Sequence, residues 1–368
     1  MGIVRPTRSP YANPKWWFLR LVNGRLGVAV VGLGVGEQHA AAYLSDSRCR
    51  LKWVYDIDLL KAKDVASRLG VEVVAENYEQ ILDDPAVHLV SIASYDDAHF
   101  EQVVGALNAG KHVFVEKPIC QTLSELETIQ ESWSKYGGEL KLSSNLVLRQ
   151  APVYQWLKDK IRQRDFGELY AFDGDCLYGR LDKITEGWRK CVENYSVMSG
   201  GGVHLIDLMV WMTGQRPESV YAVGNRICSA ETAFRYNDYV TASFQFQSGL
   251  IARVTANFGC VHRHQHVVKV FGTDATFIYD DAGARLHTTR EPSILAERIS
   301  LGTIPVSKGE LIHPFVSAIL QNEDINAHTQ EIFDTIRICS AVESSLSVIS
   351  CGAPPRCAIS SNPTQSSV

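Results

Sequence analysis

Apolar and polar positions follow two different rhythms along this chain, and the change falls near residue 150. From Gly27 onward, LGVAVVGLGVG reads as a continuous apolar strand running into glycines, EQHAAAYLSD as a helix, and CRLKWVYDID as a second strand. LLKAKDVASRLG carries apolar residues at helical spacing and closes on Gly70. HLVSIASY is another strand, DAHFEQVVGALNAG a helix ending on glycine, and HVFVEKP a further strand. SELETIQESWSKYGG predicts one more helix, with Ser124 as its N-cap and Gly137 as its stop, before LKLSSNLV returns to the sheet. Apolar strands alternating with helices over short connections predict a doubly wound parallel sheet of right-handed βαβ units, an α/β Rossmann-type fold.

Beyond residue 150 the pattern is that of an α+β domain. The helix VYQWLKDKIRQRDFG leads to ELYAFDGDCLYG, a strand with partial alternation. SVYAVGNRIC, DYVTASFQFQSGLIARVTANFG, HVVKVFGTDATFIYDD and ARLHTTR then predict a large, mainly antiparallel open sheet, with a hairpin turning at Ser248–Gly249. GELIHPFVSAILQN and TQEIFDTIRICSAVESSLSVIS are late helices. The expected division is an N-terminal arm over 1–26, the doubly wound domain over 27–148, the α+β domain over 149–350, and a flexible tail over 351–368. The arm contains Trp16, Trp17 and Phe18, too apolar for a simple tail, so it is expected to dock.

Composition narrows the function classes. The 368 residues suffice for two domains, and 45% hydrophobic residues suffice for their cores. A net charge of −5 gives no support to a nucleic acid or an anionic membrane as partner. Nine cysteines, an odd number with no C-x-x-C pair, suit reduced thiols in a cytoplasmic protein. The N-terminus lacks the apolar core of a signal peptide, and no apolar stretch reaches membrane-spanning length.

Between the first strand and first helix, Gly32, Gly34 and Gly36, with Val35 among them, occupy the turn where a dinucleotide's pyrophosphate would rest. The spacing is G-x-G-x-G, so the fingerprint is imperfect, but Asp56 ends the next strand 24 residues beyond Gly32. An aspartate there accepts both ribose hydroxyls of NAD and repels the 2′-phosphate of NADP, so NAD is the expected cofactor.

A second feature is harder to explain by packing. The strand Val113–Phe114–Val115 runs into Glu116, Lys117 and Pro118, which puts an ammonium group at the mouth of a buried strand. Either it is a solvated strand end, or the lysine is aimed into a site where charge develops.

The motif VEKP, followed by a domain containing SGGGVHLIDLMVW, resembles the Gfo/Idh/MocA family of oxidoreductases, which includes sugar and inositol dehydrogenases. AGKHVFVEKP, FGELY, IARVTANFG and the HPF at His313–Phe315 add to the resemblance, which runs from about Gly27 to about Ser350. It implies that Lys117 lies beside the nicotinamide and contacts the reacting oxygen, that the peptide before Pro118 is cis, and that Glu116 helps place the cofactor. Ser94, Tyr95, Asp97 and His99 stand where the family's loop meets the cofactor. His204 matches the histidine of the H-x-x-D segment, with Asp207 on the same helix face. The expected roles are His204 as base, Lys117 as electrostatic stabiliser, and Asp207 as orienter or substrate hydrogen-bonding group, lysine and histidine being exchangeable. Many members carry an aspartate four residues before this histidine; here Gly200 stands there.

Trp188, Arg189 and Tyr195 precede that segment and suit a sugar-binding wall, aromatics for apolar sugar faces and arginine for oxygens, with ordinary loop packing as the alternative. His262, His264 and His266 alternate strictly, but on a regular strand successive same-face side chains are some 6–7 Å apart, too spread for a metal, and none is expected. The functional expectation is an NAD-dependent oxidoreductase acting on a sugar, sugar nucleotide or cyclitol, assembled as a homodimer or homotetramer through the open sheet. An NAD-dependent glycosidase of the same family and a non-catalytic dinucleotide-sensing regulator are the rivals.

Overall fold

The computed structural model of the chain describes residues 24–71, 73–302, 307–349 and 357–358. The Trp16–Phe18 run and all of the C-terminal tail except Cys357 and Ala358 lie outside the described residues. The chain packs as two units: one holds the chain up to Cys120, Ser124–Asn145 and Ser307–Thr329, and the other holds the remainder.

In the first unit, β1 (Leu26–Val31), α1 (Gly36–Ser45), β2 (Cys49–Tyr55), α2 (Leu59–Leu69), α3 (Tyr78–Asp83), β3 (Leu89–Ile92), α4 (His99–Asn108), β4 (His112–Val115), α5 (Leu123–Ser134) and β5 (Leu142–Ser144) follow one another. The strands form one sheet, ordered β2-β1-β3-β4-β5, with every pair parallel. All residues of β1, β3 and β4 are buried. A strand covered on both faces has no wet side, which is why the three read as nearly continuous apolar runs, with Ser91 and His112 as the polar exceptions. The strand order reverses between β1 and β3, and at such a switch point a crevice opens at the carboxyl ends of the strands.

Local signals behave as their chemistry requires. Asp58 caps α2 through the amides of Leu60 and Lys61, and Gly70 ends it in the left-handed conformation. Ser124, expected as a cap, is instead the second residue of α5, which begins at Leu123. The stop after α5 is made by Gly137 and Gly138, both at positive φ.

The second unit opens with α6 (Pro152–Arg162), β6 (Leu169–Leu177), α7 (Asp182–Thr185) and α8 (Val203–Thr213). Then come β7 (Ser219–Asn225), β8 (Tyr239–Gln245), β9 (Ile251–Asn257), β10 (Gln265–Gly272), β11 (Thr276–Asp280), β12 (Gly283–His287) and β13 (Glu297–Ile299). After α9 (Ile312–Leu320) and α10 (Asn326–Ile349) comes β14 (Cys357–Ala358), whose pairing with β7 gives two residues of the expected tail a fixed place. The strands make one sheet, ordered β13-β12-β11-β10-β6-β9-β8-β7-β14. It is antiparallel apart from the β6–β9 pair. The β8–β9 hairpin turns through Gly249 at φ 88°, as its sequence predicts. Buried Phe172, Val240, Phe244, Val254 and Val268 line one face of the sheet, and α8 packs there: a Cβ on Gly174 would lie 3.2 Å from Leu205.

One late element returns to the first unit. Ile312, Phe315, Val316 and Ile319 of α9 join the core formed by Val30, Tyr43, Val54 and Phe114, with the rings of Phe114 and Phe315 5.6 Å apart. A single division of the sequence at residue 148 does not contain this return.

Candidate active site

The turn after β1 is shaped by its glycines. Gly32 has φ +81°, and a Cβ on it would strike the backbone of Ala93 and Ser94 at the end of β3. Gly36 is packed against Val30 and Ala93 at 3.1–3.2 Å from where its Cβ would be. Gly34, by contrast, has nothing within 4 Å of that position. No side chain caps α1, whose first turn carries Glu37; the Gln38 amide turns to the Val35 carbonyl at 2.9 Å, and the positive end of the helix dipole faces the turn. These residues fit a dinucleotide's pyrophosphate: an open approach over Gly34 and a helix N-terminus without a side-chain cap beside it.

Asp56, at the end of the second strand, is tied to this turn. Its Oδ2 accepts from the Leu33 amide at 2.7 Å and from Lys61 Nζ at 2.9 Å, and its Oδ1 from the Asp58 amide at 3.0 Å. Burial opposes its charge, but those two amides and the Lys61 ammonium hold the carboxyl below its ordinary range. It is therefore an anion at neutral pH with acceptor capacity left on Oδ1, which suits ribose hydroxyls.

At the ends of β3 and β4, Tyr95 is 46% exposed and Ser94 donates through Oγ to Gln102 at 2.6 Å. His99 is wholly buried, with Nδ1 2.7 Å from the carbonyl oxygen of Pro118 and Nε2 3.2 Å from that of Ser94. With no exposed surface it has none to offer a cofactor, so the contact expected of it is replaced by a positioning role that fastens the two strand ends. Glu116 is also buried. Asn145 Nδ2 donates to its Oε1 at 2.6 Å, and His39 Nε2 lies 3.4 Å away. Burial pushes the Glu116 carboxyl up, but His39, Lys117 and Lys308 outweigh it and bring it down to about 2. Lys117 follows, half-buried, and its peptide to the buried Pro118 is cis.

In the second unit, His204 enters α8 from a π-helical turn, Met198–Gly202. The absence of a side chain at 200 has a physical cause: a Cβ there would sit 2.5 Å from the Tyr195 hydroxyl. Tyr195 is buried, edge-on to Phe234 at 5.8 Å, so it is not an open stacking surface. Together with Arg235, Tyr236 and Glu343 it lines a cavity of about 210 Å³. Burial raises the pKa of Glu343, which accepts from Ser196 Oγ at 2.5 Å. Trp188 and Arg189 lie half-exposed on a 3₁₀ turn, the guanidinium 4.4 Å over the indole ring.

Asp207 departs from expectation. It has no exposed surface, and its carboxylate is held by Arg149, with Nε at 2.9 and 3.1 Å from its oxygens and a terminal nitrogen at 2.5 Å. Arg149 also reaches Glu331 at 2.5 Å. Burial disfavours the guanidinium charge, but Asp207 and Glu331 outweigh it and raise the Arg149 pKa above its usual value. Asp207 neutralises a buried arginine, and a carboxylate sealed in this way has no face for a substrate.

The histidines after β9 are arranged differently from a regular strand. His262 turns to the Arg263 carbonyl and Asp281, while His264 and His266 face each other with ring centroids 5.0 Å apart. The strand begins only at Gln265, so the 6–7 Å spacing that argued for dispersal does not apply.

Comparison with known proteins identifies this architecture. Residues 26–142 match the model of an oxidoreductase family with an NAD-binding Rossmann fold, and residues 154–278 match the GFO/IDH/MocA C-terminal domain. The chain belongs to the Gfo/Idh/MocA family of oxidoreductases. Its first unit is that family's NAD-binding Rossmann domain, and NAD is its cofactor. An uncharacterized oxidoreductase of Synechocystis is 30% identical over 196 residues, 51% of this chain and 52% of that protein, so the match spans about half of the relative's length. The myo-inositol 2-dehydrogenase of Thermotoga maritima is 24% identical over 265 residues, 69% of this chain and 75% of that protein. Among solved structures, a levoglucosan dehydrogenase in complex with NADH and levoglucosan superposes with a TM-score of 0.80 at 19% identity, covering 91% of this chain and 99% of that one. Among the described residues, no helix is long and apolar enough to cross a membrane.

Within the family frame, sequence reasoning missed His39, Lys61, Asn145 and Arg149. His39 and Asn145 hold Glu116, Lys61 pairs with Asp56, and Arg149 takes Asp207. None carries a local signal. Each is an ordinary helix, strand-end or turn residue whose partner lies five to more than a hundred positions away.

Proposed function

We propose that this protein is an NAD-dependent dehydrogenase or reductase acting on a secondary alcohol, or the matching ketone, of a sugar, sugar nucleotide or cyclitol. The observation that carries the reading is Lys117. It is a half-buried lysine directly after a buried strand, between a carboxylate fixed by Asn145 and a buried proline. The bland alternative was a solvated strand end, and partial burial in a shaped surround supports the sharper one. The family relatives add to this: the Thermotoga protein's name gives inositol as substrate, and the solved complex holds levoglucosan, both polyols.

When bound, the nicotinamide supplies the hydride chemistry. Lys117 would hold the reacting oxygen and stabilise the alkoxide character that develops on it. His204 would take the hydroxyl proton on a ring nitrogen. Trp188 and Arg189, half-exposed and stacked on each other, offer an apolar ring face and a guanidinium to the rest of a polyol. Asp207 acts through Arg149 as a structural ion pair.

The test starts from a screen of sugars and cyclitols for NADH formation by near-ultraviolet absorbance. With a substrate in hand, Lys117→Ala should keep NAD affinity within about twofold while turnover falls about a hundredfold or more. His204→Ala should lose about as much, as expected for loss of the group that takes the proton. Wild-type turnover in Lys117→Ala overturns the assignment of the lysine. Sugar hydrolysis without net NADH would point instead to the glycosidase reading, and NAD binding with no turnover of any polyol to the regulator.

A further inference from the structure

We propose that Cys176, His264 and His266 form a binding site for one borderline-soft divalent cation, of which zinc is the natural occupant. Their ligand atoms, one sulfur and one nitrogen from each ring, all lie within 4.8 Å of one another. The proposal is independent of the dehydrogenase reading.

The register of the sheet creates the cluster. Cys176 on β6 and His266 on β10 are direct partners across an antiparallel pair, so their side chains rise from the same face at neighbouring positions. Both are buried on the face that α8 covers. His264 comes from the segment just before β10, where its ring meets Tyr178 at 5.1 Å and His266 at 5.0 Å. Because this segment is not yet strand, its backbone can bring His264 back over Cys176. Gly201 completes the enclosure. A Cβ there would sit 3.0 Å from Cys176 Sγ and 2.8 Å from Phe258, so only glycine lets the turn before α8 pass over the sulfur. The His204 ring lies beside the cluster, 5.5 Å from that of His266.

The donor set selects the ion. A thiolate with two imidazoles suits zinc or cobalt(II) and disfavours magnesium and calcium, which demand oxygen ligands. Tetrahedral zinc holds sulfur at about 2.3 Å and nitrogen at about 2.0–2.1 Å, so its ligand atoms stand roughly 3.3–3.6 Å apart. Donors already within 4.8 Å reach that arrangement by small side-chain rotations. Three protein ligands leave a fourth position for water or another small ligand. Two donors are buried and His264 is exposed, which gives the ion an entrance and a ligand that can close behind it.

The full chain, stripped of metal by chelation and dialysed, should take up one equivalent of zinc and, separately, one of cobalt(II). The cobalt form should show the visible bands of tetrahedral coordination and a near-ultraviolet thiolate-to-cobalt charge-transfer band. Cys176→Ser should abolish that band, and His264→Ala and His266→Ala should each weaken zinc binding about a hundredfold or more in competition with a chromophoric chelator. His262→Ala, whose ring faces Asp281, should leave it unchanged. His264 is exposed, so its variant is the one least able to disturb the fold, and the cobalt spectrum of the unaltered chain needs no variant at all. A cobalt spectrum without the charge-transfer band, or zinc affinity equal in wild type and His264→Ala, overturns the proposal.

Discussion

Replacing Asp207 with alanine should unfold the protein before it disables any chemistry. The substitution strips the buried Arg149 guanidinium, 6% exposed, of the carboxylate that holds it through Nε and a terminal nitrogen, while Glu331 still reaches it from the other side. Removing one member of a buried ion pair typically costs about 3–5 kcal/mol, because the surviving charge keeps its desolvation penalty without its counter-charge. For a unit of this size that corresponds to a fall in melting temperature of roughly 6–20 °C. The double variant Arg149→Leu/Asp207→Leu removes the charge that would be stranded, so it should recover most of the loss. The resulting coupling energy should be at least about 2 kcal/mol. Chemical denaturation followed by circular dichroism gives the stabilities, and turnover is measured at a temperature where each variant is folded. Asp207→Asn, which keeps the volume, should then retain turnover in proportion to its folded fraction. The reasoning fails if Asp207→Ala unfolds within about 1 kcal/mol of wild type while turnover collapses, since the carboxylate would then be acting on the reaction and not on Arg149.

Other outcomes follow from features already described. Because Asp56 stands anionic beside the glycine turn, NAD should bind much more tightly than NADP, and Asp56→Ser, which frees the Lys61 ammonium from its pair, should narrow that gap; calorimetry finding equal affinities in the wild type would contradict it. Gly200→Ala should cost about 1–3 kcal/mol by collision with the Tyr195 hydroxyl, and Tyr195→Phe in the same chain should restore part of it, as read by thermal melts. Glu116 has a folded pKa of about 2 against 4.5 when unfolded, so its contribution is complete above pH 4.5 and disappears as pH falls toward 2. Wild type should therefore lose on the order of 3 kcal/mol across that window relative to Glu116→Gln, and parallel pH profiles for the two would refute the assignment. Tyr221, Val223 and Ile251 are exposed on one face of the large sheet beside the Arg253–Asp173 pair, so light scattering should find a dimer or tetramer at micromolar concentration and not a monomer.

What was legible in the sequence was what is encoded locally. The apolar strands of the first unit, the stop at Gly70 and the β8–β9 turn at Gly249 depend on residues whose neighbours in sequence are their neighbours in space, and Asp56, 23 positions from Leu33, was legible through the spacing of the βαβ frame. What was hidden depends on register and return. Asp207 looked like an orienter because it is three residues from His204 on one helix, but Arg149, 58 positions earlier, decides its role. Tyr195 reads in the sequence as part of a ligand wall, whereas its ring packs against Phe234 and its hydroxyl over Gly200. Alternation spreads the three histidines only on a regular strand, whereas β10 begins at Gln265, and no pattern tells which residue on another strand stands opposite His266. β13, three residues long, is too short to show alternation.

The return of α9 has a bearing on how this chain is made. Synthesis runs from the N-terminus, and every strand of the first unit has been made once Ser144 is added. Yet four apolar side chains of that unit's core, Ile312, Phe315, Val316 and Ile319, are encoded more than 160 positions later. At about 5–20 residues per second, the nascent sheet waits roughly 8–35 seconds with part of its helix-covered side bare. During that interval the surface around Tyr43, Val54 and Phe114 is an apolar patch of the kind that chaperones hold and that aggregates recruit. Cutting the gene after the fifth strand would make that interval permanent, so a fragment ending near Asn145 should collect in inclusion bodies, whereas one carrying residues 307–329 on a short linker should stay in solution.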